Sequence, residues 1–350
     1  MPATMATFST SATASTLPPI RRFSKKSSLT STKARGVDMN ATTNSPTTKT
    51  AVLLMAYGTP RTPAEIEPYY TDIRRGRPPT PELLAELTAR YDAIGGISPL
   101  AARTEAQRDA LQRALDAIAP DTYEVVLGLK HAEPKIETAV DELAQRGFRS
   151  IIGLVLAPHY SSYSIGQYMD RTRAAAEPHG IAVTGIDSWA VESAFVEFLA
   201  ADMSARLSRM PANTKVLFTA HSLPQRIIDA GDPYPNELRA TAEAVAARVG
   251  LNDWSTWSVA WQSAGRTPEP WIGPDILAVI DDLAASENSS GVLVCACGFV
   301  ADHLEVLYDL DIEARHHAEA KGLAFDRTAC VNDDATVMNA LARRVVDIDR

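Results

Sequence analysis

The sequence predicts an α/β protein built from two doubly wound domains, each a parallel sheet covered by helices. Three observations carry this expectation. From Thr50 to the C-terminus short apolar runs alternate with amphipathic stretches of helical spacing, the βαβα order of a parallel sheet. The runs are nearly continuous in apolar residues, as in strands buried on both faces. Chemistry-bearing residues gather where those runs stop, which is where open parallel sheets hold ligands.

The 350 residues suffice for two ordinary domains, and 45% hydrophobic with 22% charged content is that of a water-soluble globular protein. No apolar run approaches the ~18–20 residues of a membrane span. A net charge of −9 argues against nucleic acid as a partner, because phosphate binding needs a basic surface. Cys295, Cys297 and Cys330 are odd in number, so they form no disulfide framework and suit a reducing compartment. No Gly-x-Gly-x-x-Gly, Walker loop or Gly-x-Ser-x-Gly elbow occurs, so nucleotide-binding and serine-hydrolase readings lack support.

Residues 1–50 differ from all that follows. Twenty are Ser or Thr, and seven Lys or Arg accompany one acid, Asp38, so the segment carries about +6 and the remainder about −15. Such a composition buries too little apolar area to offset its ordering entropy, and a disordered extension is expected. It has transit-peptide composition too; a start at Met39 and a plain solvated tail are the competing readings.

The first domain is expected over 51–195. Ala51-Val-Leu-Leu-Met-Ala56 is a buried strand entering a turn at Tyr57-Gly-Thr-Pro60. A short helix opens at Pro63, and Asp72-Ile-Arg-Arg-Gly-Arg77 then crowds three arginines into a loop, either a solvated rim or an anion clamp. Helical spacing follows over 81–93 and 101–118, broken by Gly95-Gly96-Ile-Ser-Pro99. Strands are predicted at 123–129, 151–156 and 181–186, with helices at 136–146, 161–175 and 192–209. The second domain, 196–350, has strands at 215–220, 256–261 and 292–297 and helices at 236–249, 274–285, 303–320 and 333–347; the last of these can pack back on the first domain. No internal repeat is visible.

His131, His159 and His221 stand at the carboxyl ends of predicted strands, and His303 lies just beyond another. Strand ends converge on one side of a sheet, so imidazoles there suit proton transfer or metal handling. Asp302 is read as a helix N-cap with Glu305 as its capping-box partner; the alternative makes Glu305 a carboxylate partner of these imidazoles. His179, His316 and His317 are read as solvated, and Trp189, Trp261 and Trp271 as packing.

Met55-Ala-Tyr-Gly-Thr-Pro60, Ile73-Arg-Arg-Gly-Arg77, Arg90-Tyr-Asp-Ala-Ile-Gly-Gly-Ile-Ser-Pro99, Gly128-Leu-Lys-His131, Ala220-His-Ser-Leu-Pro224, Gly231-Asp-Pro-Tyr-Pro235, Trp261-Gln-Ser263, Trp271-Ile-Gly-Pro274 and residues 298–309 together resemble the ferrochelatases, in particular the coproporphyrin III branch of Gram-positive bacteria and actinobacteria. The match runs in order from about Val52 to the C-terminus. It implies the class II chelatase fold, two Rossmann-like domains with a cleft along the strand ends, and insertion of Fe²⁺ into coproporphyrin III in the cytoplasm. By this resemblance His221 and Glu305 are the catalytic and metal-handling pair. Tyr57, Arg74, Arg90, Tyr91, Ser98, His131 and Tyr168 line the porphyrin cleft, Tyr57 on the iron face opposite His221. Asp302 and Asp309 belong either to an acidic ion track with Glu305 or to a solvated helix face. Fe²⁺ and coproporphyrin III are the implied partners, with transient contact to other enzymes of haem synthesis. Some actinobacterial relatives hold a [2Fe–2S] cluster on four cysteines; with three cysteines here, and Ile165-Gly166 where those relatives supply one, a cluster is not expected. The rival readings are a protoporphyrin IX or other-metal chelatase and a non-catalytic haem or porphyrin carrier.

Overall fold

Two four-stranded parallel sheets organise the chain, with strand orders β2-β1-β3-β4 and β6-β5-β7-β8. The computed structural model describes residues 49–251, 255–265 and 267–350, and the Ser/Thr-rich segment through residue 48, expected to be disordered, lies outside the described residues. In the first half β1 (Thr50–Ala56) leads through a 3₁₀ turn to α1 (Ile66–Ile73), α2 (Pro81–Ala93) and α3 (Leu100–Ile118). Then come β2 (Tyr123–Leu129), α4 (Ile136–Gln145), β3 (Ser150–Val155), α5 (Ile165–Ala176), β4 (Ala182–Ile186) and α6 (Ser193–Leu207). The second half runs β5 (Thr214–His221), α7 (Gln225–Asp229), α8 (Tyr234–Val249), β6 (Trp257–Gln262), α9 (Ile276–Ser286) and β7 (Gly291–Cys295). A π-helix over Val306–Ala314, α10 (Arg315–Ala320), β8 (Ala324–Arg327) and α11 (Ala335–Ile348) complete it.

The two halves repeat one topology that the sequence does not reveal. In each, the first strand lies between the second and the third, so the loops leaving the sheet diverge at the end of that first strand, the switch point where open α/β sheets form their crevice. Tyr57 follows β1 and His221 ends β5, so both stand at such a point.

Period-2 alternation sends Val52 and Leu54 of β1 to one face and Leu53 and Met55 to the other. Leu53 and Met55 pack with Ile136, Val140 and Met169. Val52 and Leu54 share a core with Val216 and Phe218 of β5. The last helix seals that shared core with Val337, Leu341 and Val345, and α11 rests on α3 and α6. Leu217, Val292 and Val294 fill the outer face of the second sheet with Ile280, Val306 and Leu310.

Two elements depart from expectation. The strand β8 is only Ala324-Phe-Asp-Arg327 at a sheet edge, with Phe325 its single buried residue, too short and too polar for an apolar-run signal. The helix expected over 303–320 is a π-helix in its first part, with Val306, Leu310 and Ala314, every fourth residue, turned inward. Asp302 does not cap it: its carboxylate accepts from Asn332 Nδ2 at 2.8 Å and Arg327 Nη2 at 3.3 Å. No side-chain cap from Glu305 forms either, so the capping-box reading falls and Glu305 is left to other partners.

Candidate active site

Sheet geometry brings His221 and Glu305 together, although eighty-four positions separate them. The backbone turns after β7, where Gly298 N–H donates to Thr219 C=O at 2.9 Å. A Cβ on Gly298 would stand 2.6 Å from Ala220 Cα, so only glycine lets the loop cross β5 this closely. That crossing delivers His303 and Glu305 beside the end of β5. His221 Nε2 lies 3.7 Å from Glu305 Oε1, and His303 Nε2 lies 3.7 Å from Glu305 Oε2.

Both imidazoles are held from behind. His221 Nδ1 lies 2.5 Å from Ser222 C=O and His303 Nδ1 lies 2.9 Å from Ala301 C=O. A carbonyl only accepts, so each Nδ1 carries a hydrogen, and the Nε2 atom of each ring faces the carboxylate. Burial works against ionisation of Glu305, but the neighbouring His221, His303 and Arg90 outweigh it and hold the carboxyl below its ordinary value. The carboxylate is thus anionic at neutral pH, recessed yet 37% exposed. Among the described residues no three of His, Cys, Asp and Glu converge closely enough to form a resident metal site. The cluster can accept protons and touch a metal whose other ligands come from elsewhere.

The first half supplies the opposing groups. Tyr57 is 42% exposed, its ring tilted against His131 at 4.6 Å and edge-on to Tyr69 at 6.5 Å. Burial of its hydroxyl, and next the charge of Glu305, push the Tyr57 pKa well up, so the phenol stays protonated. Burial raises the Tyr69 and Tyr91 pKa values, and the Glu305 charge adds to the rise in both. His131 Nδ1 donates to Asp72 Oδ2 at 2.6 Å, and Lys135 Nζ sits 3.0 Å from the other oxygen. Burial lowers the His131 pKa to about 4 despite Asp72, leaving a neutral imidazole with its Nε2 lone pair free.

Arg90 and Asp309 join the halves. Arg90 Nη1 donates to Asp309 Oδ1 at 3.2 Å, and its guanidinium lies over the Tyr308 ring at 4.7 Å. Ser263, in the left-handed region at φ +58°, donates to Asp309 Oδ2 at 2.5 Å. Burial and then the nearby Glu305 charge raise the Asp309 pKa to about 6, against the pull of Ser263 and Arg90. Between pH ~4 and ~6 the folded protein therefore keeps a proton that the unfolded chain releases, so this group's contribution to stability falls as pH rises through that window. Asp309→Asn should abolish the fall. Relative to the parent, the variant should gain on the order of 2 kcal/mol between pH 4 and pH 7 in urea unfolding. Parallel stability curves for the two proteins would contradict the burial argument.

The remaining residues singled out by sequence have varied placements. Arg74 and Arg77 bond to each other's carbonyl oxygens at 3.2 and 3.4 Å, and among the described residues Arg74, Arg75 and Arg77 have no carboxylate partner. Tyr91 is buried against Thr59. Ser98 is buried and accepts from Leu100 N–H at 3.2 Å at the start of α3. Tyr168 lies in the core, 4% exposed, with Lys130 Nζ 5.2 Å from its ring centre. The four strand-end histidines do not all converge. His159 is sealed between the halves, its Nε2 2.8 Å from Thr241 Oγ1, and burial alone lowers its pKa to about 3. His179 and His317 pair with Asp141 and Asp281 at the surface. Trp271 was read as packing, yet its ring lies 6.3 Å from the His221 imidazole. Asp72 and Tyr69 carried no motif signal in the sequence, because their role exists only once His131 and Gly58 are beside them. Cys295 and Cys297 belong to the shared core and Cys330 to the outer one.

Two parallel-sheet halves with an imidazole–carboxylate cluster at the strand ends define a class that comparison with known proteins makes specific. The architecture is similar to that of SirB from Bacillus subtilis with Fe³⁺, at TM-score 0.50 and 13% identity, covering 86% of this chain and 95% of that one. Residues 49–347 match the Ferrochelatase family model. The chain is 46% identical to a ferrochelatase of Herpetosiphon aurantiacus over 84% of this chain and 97% of the relative. It is 41% identical to a coproporphyrin III ferrochelatase of Bacillus subtilis over 85% and 97%. The chain belongs to the ferrochelatase family.

Proposed function

We propose that the protein inserts ferrous iron into coproporphyrin III, giving Fe-coproporphyrin III for haem synthesis in the cytoplasm. The observation that carries this reading is the His221–Glu305 pair, 3.7 Å apart at the end of β5. Metallation replaces two pyrrole N–H protons by one Fe²⁺. His221 Nε2 takes a proton from the macrocycle or ligates the incoming iron, and Glu305 receives the proton from it. His303, on the other oxygen of Glu305, holds that carboxylate in place. A metal in transit finds its final ligands on the four ring nitrogens, which accounts for a protein site of so few donors. Tyr57 approaches the metal from the opposite face, and His131, oriented by Asp72, hydrogen-bonds at the same side.

The substrate's four propionates explain the arginines. Arg74, and Arg75 and Arg77 beside it, offer guanidiniums to carboxylates, with Arg90 holding the rim through Asp309. Tyr91, Ser98 and Tyr168 support the cleft wall from behind, since all three are buried. Replacing Arg74, Arg75 and Arg77 together by Ala should raise KM for coproporphyrin III by ~10–100-fold with little change in kcat, as for lost ground-state contacts. Protoporphyrin IX, with fewer carboxylates, should lose less. Equal losses for both porphyrins would remove the propionate clamp.

A side-by-side assay of Fe²⁺ insertion into the two porphyrins tests the substrate. Faster turnover of protoporphyrin IX would overturn the choice of coproporphyrin III, and tight porphyrin binding without turnover would make the protein a carrier. Among the described residues no helix is long and apolar enough to cross a membrane, and a tetracarboxylate needs no membrane to dissolve it.

A further inference from the structure

Gln262, the last residue of β6, is 1% exposed, and both polar atoms of its side chain lack a hydrogen-bond partner. The same is true of the Thr219 hydroxyl on β5, which is fully buried. Leaving a buried amide unbonded costs about 1–3 kcal/mol. Two orphaned groups together point to something that satisfies both.

Strand register places them. His221 pairs with Gln262 and Thr219 with Ala260. Side chains two apart share a face, so Thr219, His221 and Gln262 all lie on the face that Leu217 and Ala260 turn toward Val306 and Leu310 of the π-helix. Thr219 and Gln262 are diagonal neighbours, a relation that separates Cα atoms by ~7–8 Å. That distance suits a bridge through one water better than a direct bond. The backbone of Gln262 also reaches the catalytic imidazole. Its C=O accepts from Ser222 N–H at 2.8 Å, and the carbonyl of that same Ser222 receives His221 Nδ1–H at 2.5 Å. One residue on, Ser263 bonds to Asp309.

We propose that Gln262 is a positioning residue: with Thr219 it binds an internal water between β5, β6 and the π-helix, and this water fixes the end of β6, and through Ser222 the His221 imidazole. The amide supplies two donors and two acceptors and the hydroxyl a further donor and acceptor, enough for a water with the 2–4 partners a buried site needs. The inference rests on the proposed chelatase reading for its effect on rate, but not for the water itself.

The test uses Gln262→Met, close in shape and without polar atoms, together with Thr219→Val. A high-resolution crystal structure of the parent should show one ordered water within about 3.2 Å of Gln262 and Thr219, lost in both variants. Each variant should lose ~10-fold in kcat for iron insertion with KM for porphyrin unchanged. Each should be as stable as the parent or more so, since a polar requirement has been removed from the core. The double variant should be no slower than either single one, because both act through one water. A direct amide–protein bond in the crystal structure, additive rate losses, or a loss of stability that parallels the loss of rate would overturn the proposal. The density test needs no substrate, so an inactive parent would count against the chelatase reading and leave the water site to be judged separately.

Discussion

Replacing His221 by Ala is expected to lower iron insertion by at least ~10³-fold, toward the upper range for removal of a group that moves a proton in the rate-determining step. The effect should fall on kcat. The His221 ring ends β5 partly exposed, 34% of its side chain accessible, and its loss empties no core. Unfolding should therefore stay close to that of the parent, and porphyrin should still quench tryptophan fluorescence with near-parental affinity. Loss of porphyrin affinity of the same size would show that His221 serves binding. Turnover within a few-fold of the parent would show that it serves neither.

Glu305→Gln should slow insertion by ~10²–10⁴-fold. The amide is almost isosteric, so the loop after β7 keeps its course. What disappears is the negative charge between His221 Nε2 and His303 Nε2, each 3.7 Å away. That charge also acts on Tyr57 and Asp309. Removing it should lower the Asp309 pKa, so the variant should titrate Asp309 at lower pH than the parent, measured by carboxyl NMR shifts. A normal rate together with an unmoved Asp309 would place Glu305 outside the site. The two variants separate the roles: with His221→Ala the proton acceptor at the ring is gone, and with Glu305→Gln only its onward partner.

Much of this was open to sequence reasoning because it is local. A parallel strand buried on both faces writes itself as an apolar run, and β1, β5 and β7 are such runs. Residues that immediately follow a run sit at its carboxyl end, which placed Tyr57, His131 and His221 without coordinates. Where the signal failed, the cause was equally physical. The strand β8 is four residues at an edge and buries one side chain. The π-helix was taken for an α-helix because both turn apolar residues inward at nearly the same period. Capping by Asp302 and Glu305 was legible as a local pattern, but distant partners decided it: Arg327 and Asn332 take Asp302, and His221 and His303 take Glu305.

His159 makes the same point from the other side. It follows β3 as His131 follows β2, and the sequence treats the two alike. Docking of α8 against the first half gives His159 a threonine hydroxyl and a buried interior, whereas Asp72 and Tyr57 give His131 an orienting carboxylate and an aromatic neighbour. The succession of strands and helices along the chain and the residue types at the strand ends belong to the amino-acid sequence itself, since propensity, burial and turn chemistry act over a few neighbours. The 3.7 Å approach of His221 to Glu305, the Arg90–Asp309 tie and the repeated switch point of the two sheets were decided by tertiary structure alone, because only the packing of one sheet's loops against the other's sets distances between residues that the chain keeps far apart.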